Sequence, residues 1–88
     1  MRQTGRTTQQ IIKAPQNAVY VWVSHNLAYP KRIAEVYKRT DLLITGPQWI
    51  TQERWRGGRY SGIILDHAVS FNPDEWGQYQ EALTRIGL

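Results

Sequence analysis

The apolar residues of the chain form three short runs, separated by segments whose apolar residues recur at helical spacing. The runs occupy residues 17–25, 42–44 and 63–65. Continuous apolar runs of this length, without alternating polar positions, are typical of strands buried on both faces of a parallel sheet. The pattern therefore predicts three mainly parallel strands covered by helices.

The segments between these runs predict helices over residues 7–14, 30–39 and 73–86, with Gly87 ending the last one. Asn72, Pro73 and Glu75 form a good helix start, because they supply an N-cap, a first helical residue and a capping box. The apolar positions expected to face inward are Ile11, Ile12, Ile33, Val36, Tyr37, Trp76, Tyr79, Leu83 and Ile86. The basic residues expected on the solvated face of the second helix are Lys31, Arg32, Lys38 and Arg39.

The alternation of helices and strands predicts one α/β domain with a three-stranded, mainly parallel sheet flanked by helices. Eighty-eight residues suffice for one small core, and without cysteine there is no disulfide or thiolate metal site. Because no signal peptide or membrane-spanning run is recognisable, we expect a soluble, cytoplasmic protein.

The formal charge of +4 is unevenly distributed along the chain. Residues 1–65 contain ten lysines and arginines against three acidic residues, whereas residues 66–88 contain Arg85 alone against four acidic residues. This asymmetry suggests a basic face for phosphate or nucleic acid and an acidic final helix.

Asp66 follows the third apolar run and therefore falls at the carboxyl end of a predicted strand. Ligands bind beyond such ends in open α/β sheets, although an aspartate is also common as a simple turn residue.

The opening segment contains Gly5 at a predicted tight turn, followed by Arg6, Thr7 and Thr8 at a helix start. Backbone N–H groups there could hold a phosphate, Arg6 could reach its outer oxygens, and a threonine hydroxyl could hold Mg²⁺. The alternative is a frayed, solvated N-terminus.

Residues 48–60 differ from the rest of the chain because they interleave arginine with aromatic residues around Gly57-Gly58, which predict a flexible loop. Such side chains suit stacking on bases and pairing with phosphates. The nucleic-acid-binding candidates are Arg54, Trp55, Arg56, Arg59 and Tyr60. The alternative is a surface loop that its tryptophans fix to the core, with Trp49 and Ile50 in a short helical turn.

In chain order, Arg-Gln-Thr-Gly-Arg-Thr-Thr at 2–8, Val-Trp-Val-Ser-His at 21–25, Leu-Ile-Thr-Gly-Pro at 43–47 and Ile-Ile-Leu-Asp-His at 63–67 resemble a reduced P-loop NTPase core. The sequence is most similar to helicase and phage terminase ATPase motors. Since no strand has room to precede the phosphate loop, the resemblance implies a truncated version of that core.

The resemblance implies that Gly5, Arg6 and Thr7 match the phosphate loop, that Thr7 holds Mg²⁺ beside ATP, and that Asp66 holds the metal through water. His67 stands where these motors place the glutamate that activates water, which implies little or no hydrolysis, with His67 as a possible substitute base.

Three functions remain open from the sequence. The first is a small accessory protein of phage or mobile-element type that binds a nucleotide or phosphate ligand. The second is a nucleic-acid-binding module that uses residues 48–60. The third is an inhibitor or decoy that docks on a host or phage protein, with a sheet edge that could accept a strand or self-associate.

Overall fold

A computed structural model describes residues 3–56 and 58–86. The elements in chain order are α1 (Gln3–Lys13), β1 (Val19–Val21), α2 (Ala28–Val36), β2 (Leu43–Thr45), α3 (Gln48–Thr51), β3 (Ile63–Leu65) and α4 (Pro73–Ile86). The sheet order is β2-β1-β3, and both strand pairs are parallel. The predicted α/β architecture with a three-stranded parallel sheet and flanking helices is confirmed.

β1 lies at the centre of the sheet, and all three of its side chains are buried. Tyr20 lies opposite Ile44 on one neighbour and Ile64 on the other. Because successive side chains of a strand point to opposite faces, Val19 and Val21 pack on one side of the sheet and Tyr20 on the other.

The strands differ from two of the three apolar runs in length or position. β3 coincides with the predicted run 63–65, but β1 covers only the middle of run 17–25, and β2 is displaced by one residue from run 42–44. His25, expected at the carboxyl end of the first strand, lies beyond β1 and is exposed. β1 pairs with β2 and β3 over only three residues each, and this limits the length of the central strand.

The sheet separates two apolar clusters, one on each face. Helices α3 and α4 cover the face that includes Val19, Val21, Trp49, Ile50, Trp55, Ile63, Phe71, Ala82 and Ile86. Helices α1 and α2 cover the face that includes Ile11, Ala14, Ala18, Tyr20, Ala34, Leu42 and Ile44. The predicted helical turn at Trp49 and Ile50 is confirmed as α3, and both of its apolar residues are buried.

α1 begins earlier than predicted, and Gly5 lies inside it. The tight turn expected at Gly5 is therefore wrong, and a Cβ at this position would meet no atom within 4 Å. Ile11 is fully buried, as predicted, whereas Ile12 is 38% exposed. Adjacent helical residues point about 100° apart, so only one of the two can face the sheet.

α2 turns a different face inward than its apolar residues suggested. Pro30 and Ala34, one turn apart, are buried, and Ile33 is half-buried. Val36 and Tyr37, predicted to face inward, are 64% and 49% exposed. Pro30 is the third helical residue rather than the first, where its missing N–H still costs no helical hydrogen bond.

α4 begins as predicted. The Asn72 N–H donates to Glu75 Oε1 at 2.9 Å, and the Glu75 N–H donates to Asn72 Oδ1 at 2.8 Å, which completes the capping box. Trp76 is 42% exposed instead of buried. The apolar residues of α4 that pack towards the core are Tyr79, Ala82, Leu83 and Ile86. The predicted end at Gly87 lies outside the described residues, and none of the helices within them is long and apolar enough to cross a membrane.

Arg39 belongs to the core scaffold and not to a solvated face. Its Nη1 donates to the carbonyl oxygens of Ile11 and Ile12, both at 2.9 Å, and so caps the end of α1. The remaining guanidinium nitrogens form a two-point pair with Asp41, with Nε–Oδ1 at 3.1 Å and Nη2–Oδ2 at 3.0 Å.

Candidate functional site

Thr7 and Asp66 meet in the interior although 59 residues separate them. Thr7 Oγ1 donates to Asp66 Oδ1 at 2.9 Å, and both residues are about 2% exposed. The contact arises because α1 packs on the sheet face that carries Tyr20, directly beside the carboxyl end of β3.

The carboxylate of Asp66 has further partners on both oxygens. The Tyr20 hydroxyl also donates to Oδ1, and the Ala68 N–H donates to Oδ2 at 3.0 Å. Burial, followed by the hydrogen bond to Asp66, raises the pKa of Tyr20, so this phenol remains protonated and continues to donate. Asp66 is thus a buried acceptor for two hydroxyls and one amide.

Gln10 joins α1 to the edge of β3. Its Nε2 donates to the Leu65 carbonyl at 3.0 Å, and its Oε1 accepts the His67 N–H at 2.8 Å. In a parallel sheet, a residue of the neighbouring strand bonds in the same way to the carbonyl before and the N–H after the residue opposite it. The side-chain amide of Gln10 therefore takes the place that a peptide group of an added strand would have opposite Asp66. Sequence reasoning missed Gln10, although its position three residues after Thr7 places it on the same helix face.

The imidazole of His67 is also directed by this network. His67 Nδ1 lies 3.4 Å from Gln10 Oε1 and 3.5 Å from Asp66 Oδ2, so a proton on Nδ1 would face two acceptors. That tautomer leaves Nε2 as the nitrogen available to a ligand.

A solvent-open concavity of about 720 Å³ lies between α1 and the edge of β3. Its lining consists of Gly5, Arg6, Gln9, Gln10, Lys13, Ala14, Ile64 and His67. Arg6 and Lys13 supply positive charge, and the glutamine amides and the His67 imidazole supply hydrogen-bonding groups. We refer to it below as the α1–β3 concavity. Sequence reasoning did not predict the contributions of Gln9 and Lys13.

The four residues predicted to cradle phosphate do not share one site. Gly5 and Arg6 line the α1–β3 concavity, Thr7 is buried against Asp66, and Thr8 lines a different concavity between α1 and α2. The reason is helical geometry, because consecutive residues of a helix are distributed around its axis.

The arrangement of Thr7 and Asp66 does not fit Mg²⁺ held by Thr7 and, directly or through water, by Asp66. The side chain of Asp66 has no exposed surface, and both of its oxygens accept hydrogen bonds. A cation would have to displace the hydroxyl of Thr7 or Tyr20 to reach this carboxylate. The pair is therefore a closed hydrogen-bonded unit within the protein.

The candidate nucleic-acid residues divide by type. Trp55 is only 1% exposed, and its Nε1 donates to the Ile50 carbonyl at 3.2 Å. Tyr60 is half-buried, with its ring edge-on to Trp49 at 5.5 Å between centroids. Both aromatic rings are thus engaged within the protein, as the alternative interpretation of a loop fixed by its tryptophans expects.

The arginines of this segment remain at the surface. Arg54, Arg56 and Arg59 are exposed. Arg56 lies over the Trp55 ring at 5.0 Å and pairs with Glu53 at 2.5 Å between Nε and Oε1. Binding of nucleic acid by these arginines stays a prediction.

Comparison with protein-family models, curated proteins and solved structures found no match to this chain.

Proposed function

We propose that the protein binds a phosphate-bearing ligand, such as a nucleotide, in the α1–β3 concavity and hydrolyses it slowly or not at all. The observation that carries the proposal is the composition of this concavity. Two cationic side chains, Arg6 and Lys13, line it together with two amides and one imidazole, directly beside the carboxyl end of β3. Ligands of open α/β sheets bind at such ends.

Each class of lining residue has a counterpart in such a ligand. Arg6 can pair with two phosphate oxygens at once. Lys13 adds a second positive charge on the same face of α1, about two helical turns further along. Ala14 and Ile64 provide apolar contact for a base or sugar. His67 Nε2 can accept a hydrogen bond from a protonated phosphate or a sugar hydroxyl.

The low turnover follows from the state of Asp66. This carboxylate accepts hydrogen bonds from Thr7, Tyr20 and the Ala68 amide and is closed to solvent. It therefore cannot position a metal or activate water without local rearrangement. Binding without turnover is in keeping with this closed carboxylate, since phosphoryl transfer depends on groups placed around the phosphate.

Titration calorimetry with ATP and with tripolyphosphate, each in Mg²⁺ and in EDTA, tests the proposal. We expect saturable binding that persists in EDTA and weakens about tenfold or more in Arg6→Ala, because a charge-assisted hydrogen bond contributes about 1.5–3 kcal/mol. Lys31→Ala is the matched control, since it removes one exposed positive charge from α2, outside this concavity.

Two outcomes would count against the proposal. Absence of binding at millimolar ligand would refute it directly. Equal losses in Arg6→Ala and Lys31→Ala would show that net charge, and not this site, attracts the ligand.

A further inference from the structure

The outer face of α1 and α2 carries an apolar groove that the fold leaves uncovered. It is a concavity of about 290 Å³ lined by Thr8, Tyr29, Arg32, Ile33, Val36 and Tyr37. Ile12 lies one turn after Thr8 on α1 and extends the apolar surface along it. We call these seven residues the α1–α2 groove.

The groove contains the apolar residues of α1 and α2 that were predicted to be buried but are exposed. Ile12, Val36 and Tyr37 follow helical patterns that normally face a core, yet all three are exposed. The sheet face beneath is already covered by other residues of the same helices, Ile11 and Ala34 among them. An exposed apolar patch of this kind, edged by charge, is typical of an interaction surface.

The charge around the groove selects among its possible occupants. Arg32 is the charged residue of the groove, whereas Lys31 and Glu35 line a separate concavity beside β2. Two copies packed groove to groove would add the positive charge of one Arg32 to that of the other, which disfavours a symmetric pair. The groove instead fits an apolar side chain surrounded by carboxylates.

The first turn of α4 has these properties. Asp74 and Glu75 are its acidic residues, and the partly exposed Trp76 follows them directly. Trp76 is held by edge-on contacts to Phe71 and Tyr79, both at 5.5 Å between ring centroids, so the ring is presented in a fixed orientation. A fixed aromatic side chain loses little conformational entropy when it enters a groove.

We propose that the chain self-associates head to tail, with Trp76 and the acidic first turn of α4 of one copy seated in the α1–α2 groove of the next. The two surfaces are different parts of the chain, so the contact is heterologous and can propagate beyond two copies. This association is independent of the ligand proposed for the α1–β3 concavity.

Sedimentation velocity from micromolar to near-millimolar protein tests the association. We expect the average mass to rise above that of the 10.3 kDa chain with concentration and to fall again when salt is added. Val36→Asp places a carboxylate in the groove at a highly exposed position and should leave a folded monomer. Leu43→Asp is the control, since Leu43 is 40% exposed on the strand β2 at the sheet edge and should not alter the mass.

A mixing experiment tests the head-to-tail arrangement. Asp74→Lys reverses charge on the α4 surface and should weaken association as Val36→Asp does, with circular dichroism confirming that both variants fold. Mixed in equal amounts, they should form a 1:1 complex, because one variant keeps an intact groove and the other an intact α4 surface.

Four results would overturn the proposal. They are a wild-type chain that stays monomeric throughout, association that Val36→Asp does not reduce, association that Leu43→Asp abolishes, and variants that do not complement each other when mixed. The third result would place the contact at the sheet edge, and the second would indicate another surface.

Discussion

Arg6 and Thr7 are neighbours in the sequence, yet Arg6 is exposed at the α1–β3 concavity while Thr7 is closed inside against Asp66. The difference arises because a helix turns about 100° with each residue. Side chains of a helix face, and not the backbone of a loop, are therefore available to a ligand in the concavity.

Gly5→Ala distinguishes a phosphate site formed by side chains of a helix face from one formed by the backbone of a loop. Gly5 lies within α1, and an added Cβ would meet no atom within 4 Å. We expect the variant to gain about 0.5–1 kcal/mol in free energy of unfolding, because alanine favours a helix more than glycine does. Gly5 also lines the α1–β3 concavity, but an added methyl group removes none of its charged or hydrogen-bonding groups, so ATP should still bind. Urea denaturation and calorimetry on the same preparation provide both values.

In a phosphate loop the same change would bring a methyl group against the bound phosphate. Loss of ATP binding in Gly5→Ala, without loss of stability, would therefore contradict a helix-face site and favour a loop at Gly5.

Sequence reasoning singled out Thr7 and Asp66, and the structure brings them together, but it missed Tyr20 and Gln10. Asp66 is marked by its position after an unbroken apolar run. Tyr20 lies within such a run, where nothing in the pattern tells which sheet face each side chain takes. Gln10 is a polar residue between two polar and two apolar neighbours, and its role depends on how α1 packs on β3.

Among the secondary-structure elements, Arg39 and Asp41 connect the end of α2 to the end of α1. Asp41 Oδ2 also accepts the N–H of Asn17, whose φ of 66° lies in the left-handed region. The hydrogen bonds from Arg39 and then from the Asn17 backbone lower the pKa of Asp41 to about 2. The pair thus fixes the chain where α1 leads into β1.

Asp41→Asn should make this connection independent of pH. A carboxyl group with a pKa lowered from 3.8 to about 2 stabilises the fold fully above pH 3.8, and this contribution disappears as pH falls through about 2. We therefore expect wild type to be more stable than Asp41→Asn at neutral pH and the two to converge near pH 2. Urea denaturation at a series of pH values measures the difference.

Glu81→Gln serves as the control, because Glu81 pairs with Arg85 at 3.4 Å with both side chains about half exposed. Exposed pairs of this kind contribute about 0–1 kcal/mol. A constant difference between wild type and Asp41→Asn from pH 7 to pH 2 would show that the charge of Asp41 has no part in the connection.

A feature of a helix could be predicted from the sequence when the residues that determine it lie close together in the chain. The start of α4 follows from Asn72 and Glu75, three residues apart, and the structure confirms it. The inward face of α2 does not follow from α2 alone, because the sheet and α1 select Pro30 and Ala34 over the larger Val36 and Tyr37. Local capping is visible in a sequence, whereas the rotation of a helix about its axis depends on its neighbours.

For the molecule as a whole, the thin sheet makes each face depend on a few large side chains. Trp55 is the largest fully buried side chain among the described residues, and it lies in the cluster beneath α3 and α4. The burial of the Trp55 ring therefore bears on whether residues 48–60 mainly stabilise the core or mainly offer rings on which nucleic-acid bases could stack. The ring is closed off by the cluster and by the guanidinium of Arg56.

Trp55→Ala should cost about 3–5 kcal/mol in free energy of unfolding, as expected for truncating a buried aromatic residue. A domain of 88 residues has about 4–13 kcal/mol in total, so the variant should be partly unfolded or close to it. Trp55→Phe keeps most of the ring volume but loses the hydrogen bond to the Ile50 carbonyl. The lost hydrogen bond should lower the free energy of unfolding by about 1 kcal/mol, and the small cavity left by the smaller ring should lower it further. Denaturation followed by circular dichroism measures both losses.

The exposed arginines provide the contrast, because Arg54→Ala and Arg59→Ala should each change stability by about 0.5 kcal/mol or less. If these arginines bind single-stranded nucleic acid, their removal should reduce binding and its salt dependence, while the folded Trp55→Phe variant should bind like wild type. A Trp55→Ala variant that is as stable as wild type but binds an oligonucleotide more weakly would contradict a core role. The ring would then have to stack on bases, and the face beneath α3 and α4 would need another residue to fill it.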